Sequence, residues 1–180
     1  MTNSLHVDCE NLKRALAKIE TVVTIINEGA RHADNVQKML TLQAKFLTKV
    51  NIVSASRVLL KMETFEMTNV HGEQKKRDLI LFNDMLIISK NDGDKLKLLS
   101  MLPFENFAAI PCVVPPDTTK FFTLNLKNEI LQIFWPSEGA RNEFCGLLIS
   151  ATRDWQEQQE RIEKAIKPMK SNSIGSRILN

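Results

Sequence analysis

Cysteine is scarce: Cys9, Cys112 and Cys145 are all there is in 180 residues. An odd number at wide spacing suits neither a disulfide framework nor a zinc cluster, and predicts reduced, intracellular thiols. Histidine is as sparse, and His6, His32 and His71 show no metal spacing with one another or with the cysteines, so neither a metal site nor a cofactor is expected. The six glycines stand alone, which excludes a glycine-rich phosphate loop, and no Ser/His/Asp or Cys/His set has a nucleophilic frame. No stretch approaches the ~20 apolar residues of a membrane span, and the opening Met1–Asp8 lacks the basic region and apolar run of a secretory leader. Charge of one sign is missing too: 24 Lys+Arg against 21 Asp+Glu leave +3, which excludes a chain directed as a whole at nucleic acid. These absences predict a cytoplasmic protein whose membrane contact, if any, is peripheral.

What is present is an ordinary globular composition, 43% hydrophobic and 25% charged. From Asp8, a plausible N-cap, apolar residues at Leu12, Ala15, Leu16, Ile19, Val22, Val23, Ile26, Ala30, Ala33, Val36, Leu40 and Ala44 keep the three-and-four spacing of one helix face. A helix over 8–47 follows, roughly 60 Å long at ~1.5 Å per residue, with Gly29 as its weak point. Cys9 near its start is read as an incidental helix residue rather than a reactive thiol. From Val50 to Pro136 the period changes to short β-branched and aromatic runs split by turn residues. Seven strands are expected: 57–67, Arg77–Phe82, Met85–Lys90, Lys95–Leu102, Asn106–Cys112, Phe121–Leu126 and Glu129–Trp135. Turns fall at Asn83-Asp84, Asn91–Asp94 and Lys127-Asn128, with a Pro-marked loop at Val113–Thr118. Seven short strands paired in sequence suggest a curled sheet or barrel. Phe144, Leu147, Leu148, Ala151 and Trp155 then stripe a second helix beginning near Ser137 and closing one end of the sheet, with Cys145-Gly146 as a close-packing site against it. Past Trp155 that helix is solvated, and after Pro168 a disordered tail is expected.

Seven strands, the segment Lys75–Ser89 (KKRDLILFNDMLIIS) and a terminal helix resemble a pleckstrin homology (PH) domain, in particular the one that follows the Dbl homology (DH) exchange domain in guanine nucleotide exchange factors for Rho GTPases. The upstream segment His6–Ile19, continuing to Ile26-Asn27-Glu28 and Arg31, is similar in spacing to the last helix of that exchange domain. Asn51–Ser54 and Arg77–Asp84 look closest to the faciogenital-dysplasia type. The resemblance spans roughly 6–166 and implies an α+β chain: a DH remnant at 1–49, a PH-type seven-stranded antiparallel barrel capped by a C-terminal helix at 50–166, and a tail at 167–180. Two positions depart from the pattern: Glu63 where the family has a first-strand Gly, and Phe144 where PH domains carry a barrel-plugging Trp.

The resemblance also implies a site. Lys61 on the first strand and Lys75, Lys76 and Arg77 entering the second match the phosphoinositide pattern of PH domains, thirteen residues separating Lys61 from Lys75, with Lys90, Lys95 and Lys97 able to widen the patch. Glu63, Glu66, Glu73 and Asp78 are interspersed, so a merely solvated basic face is the competing reading. At ~1 kcal/mol per basic residue near an anionic surface, four supply about 4 kcal/mol, a millimolar affinity, so membrane attachment needs a second contact or a specific pocket. Asn27 matches the family position that touches the GTPase switch region. Only about fifty residues precede the first strand, so no catalytic residue and no autonomous exchange activity are expected. The expected function is a regulatory module coupling a phosphoinositide membrane or protein contact to Rho-family GTPase signalling. The alternatives are part of a complete exchange factor, or a protein-binding scaffold whose N-terminal helix pairs with partner helices or with itself.

Overall fold

The computed structural model of the protein describes residues 8–68, 74–116, 121–128, 130–135 and 137–171. His6, His71, Glu73, Glu129, Pro136 and the tail from 172 lie outside the described residues. The described chain divides into two compact units: the long helix as far as Ala44 together with Ile52–Ala55, and Lys45–Asn51 together with everything from Ser56 onward.

In the first unit, helix α1 (Cys9–Lys45) opens with Asp8, whose carbonyl accepts the Leu12 N–H at 2.9 Å. It runs unbroken through Gly29, and its 37 residues give about 55 Å. The apolar stripe is real but uncovered: Leu12, Leu16, Ile19, Val22, Val23, Ile25 and Ile26 are all 49–62% exposed. Burial starts only at Met39 and Leu42, beyond which Ile52 is buried and donates its N–H to Gln43 Oε1 at 2.9 Å.

The second unit is an antiparallel sheet of seven strands: β1 (Leu59–Thr68), β2 (Gln74–Phe82), β3 (Met85–Asp92), β4 (Lys95–Pro103), β5 (Phe107–Val113), β6 (Phe121–Leu126) and β7 (Ile130–Phe134), followed by α2 (Glu138–Ser171). The order is β4-β3-β2-β1-β7-β6-β5, so β1 to β4 and β5 to β7 each pair in sequence and β1 joins the two halves by pairing with both β2 and β7. β4 and β5 end the hydrogen-bonded order, and α2 packs beside β5. No ladder joins β4 to β5 among the described residues, and edge strand β5 can carry Pro111, which has no N–H to pair.

The turns follow their residues. Gly93 takes φ +66° at the first of the two residues linking β3 to β4, a conformation that glycine adopts without penalty. At the β2–β3 turn, Arg57 Nε donates to Asp84 Oδ1 and Oδ2 at 2.9 and 3.0 Å and its Nη2 to Oδ2 at 2.6 Å, while Asn83 Oδ1 accepts the Val58 N–H at 2.8 Å. This pins the turn to the lead-in of β1. Ser137 caps α2: its Oγ accepts the Ala140 N–H at 3.3 Å and its carbonyl accepts the Arg141 N–H at 3.1 Å.

The core centres on rings. Phe144 is fully buried with its ring centroid 5.1 Å from Trp135 and 6.2 Å from Phe122, and Trp135 stacks on Phe65 at 5.8 Å. The aromatic volume missing at position 144 relative to the family pattern is therefore accompanied by an indole from the neighbouring β7 end. Two expectations need correction. Gly146 is exposed and a Cβ there would meet nothing within 4 Å, so it is no close-packing site, although its neighbour Cys145 is buried and accepts from Cys112 Sγ through its carbonyl at 3.9 Å. The helix does not stop before Pro168: α2 continues to Ser171, the proline sitting within its last turn. Strands β2 and β3 are buried on both faces over 78–82 and 85–89.

Candidate functional site

Where β2 begins and β3 ends, the sheet carries a cleft of about 590 Å³ lined by Thr64, Lys75, Lys76, Arg77, Asp78, Lys90 and Asn91. Register builds it. Lys75 pairs with Met67, Lys76 with Glu66, Arg77 with Phe65 and Asp78 with Thr64, while on the other side Asp78 pairs with Ser89. Lys90 follows Ser89 as Arg77 precedes Asp78, so two cations stand on adjacent strands one step beyond that pair. Lys97 lies opposite Lys90 across β3 and β4. Arg77 Nη1 donates to the Lys76 carbonyl at 2.8 Å, which fixes one side of its guanidinium.

The lining of this basic cleft includes a buried acid. Asp78 is 2% exposed, and its Oδ1 accepts from Thr64 Oγ1 at 2.7 Å. Lys75, Lys76, Arg77 and Lys90 make the surroundings strongly positive, the field that a phosphorylated or carboxylated ligand requires. Of the residues expected here, Lys75, Lys76 and Arg77 are brought together, and Lys90 joins them.

Lys61 does not. Its register partner is Leu81, six residues along β1 from Met67, the partner of Lys75; at ~3.3 Å per residue that is about 20 Å. Its ammonium is held instead by Glu143 of α2 at 2.5 Å and Glu63 at 3.0 Å, with the side chain 19% exposed. The hydrogen bond it donates to Glu143, followed by that to Glu63, raises its pKa above the ordinary lysine value of 10.5. Lys61 ties β1 to the start of α2 and is not a cleft residue. Glu63, the departure from the family's first-strand Gly, is its partner. Lys95 pairs with Asp92 across the β3–β4 turn and does not line the cleft. Asn27 is exposed on α1 beside Ile25 and Ile26. Thr64, Asn91 and Asp78 line the cleft beyond the residues the sequence pattern marks, and for Asp78 the signal is its adjacency to the Lys75–Arg77 run.

No group of three or more His, Cys, Asp or Glu that could hold a metal ion is found among the described residues, and none of the described helices is long and apolar enough to cross a membrane.

Comparison with known proteins gives the following. No family model matches the chain. Human Rho guanine nucleotide exchange factor 26 is 30% identical over 96 residues, 48% of this chain and 11% of that protein. Rat Ephexin-1 is 32% identical over 101 residues, 48% of this chain and 14% of that protein. Rac guanine nucleotide exchange factor JJ of Dictyostelium discoideum is 26% identical over 108 residues, 58% of this chain and 9% of that protein. The chain thus spans about a tenth of the length of the curated relatives it matches. Among solved structures, autoinhibited Vav1 superposes with a TM-score of 0.71 at 16% identity, covering 83% of this chain and 28% of that one. An N-terminally truncated linker-DH/PH fragment of p115-RhoGEF gives 0.71 at 12%, covering 84% and 50%. The DH/PH fragment of PDZRHOGEF, solved in complex with human RhoA, gives 0.60 at 15%, covering 85% and 48%. The chain is similar in sequence to Rho and Rac exchange factors and in fold to DH/PH fragments.

Proposed function

We propose that these residues serve as the PH module of a Rho-type guanine nucleotide exchange factor, with the last DH helix attached, and that the module couples a phosphoinositide-bearing membrane to Rho-family GTPase signalling. The similarity to Rho and Rac exchange factors supports the pathway. The observation that carries the binding role is the cleft, where Lys75, Lys76, Arg77 and Lys90 converge at one end of a PH-type sheet. Arg77 supplies a planar donor fork for a phosphate and the lysines supply point charges around it. Attachment is peripheral and on the cytoplasmic face. Asn27 is the one matching contact position for a GTPase switch on α1, and one side chain does not open a nucleotide site, so the chain alone binds without catalysing exchange.

A second reading is favoured by the uncovered stripe of α1. Seven apolar side chains, each about half exposed or more, form the kind of face that other helices cover. On this reading the residues act as part of a complete exchange domain.

The binding role is tested by co-sedimentation with phosphatidylcholine vesicles with and without a phosphoinositide, over a salt series. Wild type should bind the phosphoinositide vesicles, Lys75→Ala/Arg77→Ala should not, and Lys61→Ala should bind as wild type. Equal binding by all three proteins, or none by the wild type, would reduce the basic cluster to a solvated face.

A further inference from the structure

The four cations do not account for what lies beneath them. Asp78 Oδ2 is buried and has no hydrogen-bond partner among the described residues, and the same holds for Ser89 Oγ, its register neighbour on β3. A buried carboxylate oxygen left unpaired is costly, and such groups are uncommon in folded proteins. Asp78 is not displaced from the site, for it lines the cleft together with Lys75, Lys76, Arg77 and Lys90. The side chains that share the cleft with it are long and flexible, so their charged ends can follow a ligand's phosphates as it settles against Asp78.

The chemistry narrows the ligand. A second phosphate against Asp78 would meet like charge, and an ammonium would have to pass four cations. A neutral hydroxyl meets neither objection and can donate to Oδ2. We propose that Asp78 Oδ2 accepts a hydrogen bond from a free hydroxyl of a phosphorylated polyol whose phosphates are held by Lys75, Lys76, Arg77 and Lys90. Asp78 thereby makes the cleft prefer such a ring over a bare polyphosphate of comparable charge. The inference rests on the binding role proposed above and adds the discriminating residue. The ring can be a lipid headgroup or a soluble inositol phosphate, since the contacts are the same.

The test is titration calorimetry of the whole chain with inositol trisphosphate and with tripolyphosphate, for wild type, Asp78→Asn and Arg77→Ala. Asn preserves shape but points an amide donor, or a neutral oxygen, where the carboxylate stood. Asp78→Asn should weaken inositol trisphosphate about ten-fold or more, the size of a hydrogen bond to an ionised acceptor, and should leave tripolyphosphate unchanged or tighter. If Asp78→Asn tightens both ligands, the carboxylate only repels anions and the inference is wrong. If Arg77→Ala abolishes binding while Asp78→Asn does not weaken it, the cleft stands and Asp78 has no such role. If wild type binds neither ligand, the binding role and the inference fall together. Should the Asn variant fold poorly, singly deoxygenated inositol trisphosphates titrated into wild type decide: one should bind about ten-fold more weakly, and equal binding of all of them overturns the proposal. Vesicle binding that Asp78→Asn weakens in parallel marks the lipid as the source; a loss confined to the soluble ligand marks the soluble one.

Discussion

Replacing Phe144 with alanine removes a fully buried ring from the middle of the second unit. The ring is packed between Trp135 at 5.1 Å and Phe122 at 6.2 Å, and Trp135 continues the stack to Phe65. Large-to-small changes at such positions cost about 3–5 kcal/mol, because the transfer free energy is lost and the surrounding rings close the cavity only in part. Against a typical stability of about 5–15 kcal/mol this leaves a marginal fold, and the melting temperature should fall by roughly 10–20 °C. Phe144→Trp tests the same packing from the other side. With an indole already supplied by Trp135, a second one is overpacked and should cost about 1–3 kcal/mol rather than stabilise. Urea unfolding followed by circular dichroism measures both variants, and an unchanged m-value keeps the comparison on native-state packing. A loss below about 1 kcal/mol for the alanine variant, or a tryptophan variant more stable than wild type, would show that the space around Phe144 is not filled as described.

Other consequences follow from individual contacts. Asp84→Asn breaks the two-pronged pair with Arg57 that pins the β2–β3 turn and should cost about 1–2 kcal/mol in urea unfolding; no change would mean the turn is set by Asn83 alone. Because the pKa of Lys61 is raised in the folded protein, its contribution is fully present below its unfolded value of 10.5 and fades as pH rises through the higher folded value. The difference in urea midpoint between wild type and Lys61→Met should therefore be constant from about pH 7 to 9 and shrink above about 10.5, and a difference that grows with alkalinity would contradict the pairing with Glu143 and Glu63. Cys112 and Cys145 are each 4% exposed, and the hydrogen bond to Cys145 together with burial pushes the Cys112 thiol up, whereas Cys9 is partly exposed. A thiol-reactive dye should label one cysteine quickly and the other two only on unfolding; three fast thiols would refute the packing of α2 on β5.

Much of the architecture was legible because it is local. The three-and-four spacing from Leu12 gave α1, the hairpin residues Lys127-Asn128 and the Gly93 turn gave their strand pairs, and Ser137 marked the start of α2. What escaped depends on distant partners. The runs Leu79–Phe82 and Met85–Ile88 are continuously apolar, which is the mark of strands covered on both faces, but what covers them is not local information. The family pattern groups Lys61 with Lys75, but register is set by where the chain turns, and the turn leaves Met67 opposite Lys75 while Glu143, eighty-two residues away in sequence, takes the ammonium. Asp78 reads as one acid among lysines; only the pairing of three strands shows it buried between Thr64 and Ser89 where the cleft begins.

The claim that binding and catalysis are separable in this chain is tested most directly by nucleotide release. Rho-family GTPases loaded with a fluorescent guanine nucleotide are tethered to phosphoinositide vesicles and mixed with the chain at high concentration, while vesicle-bound protein is measured in parallel. The chain should be recovered on the vesicles through Lys75 and Arg77 and should leave the release rate at its spontaneous value. Accelerated release that persists in Lys75→Ala/Arg77→Ala and disappears in Asn27→Ala would contradict this, and would make the exposed face of α1 an exchange surface in its own right.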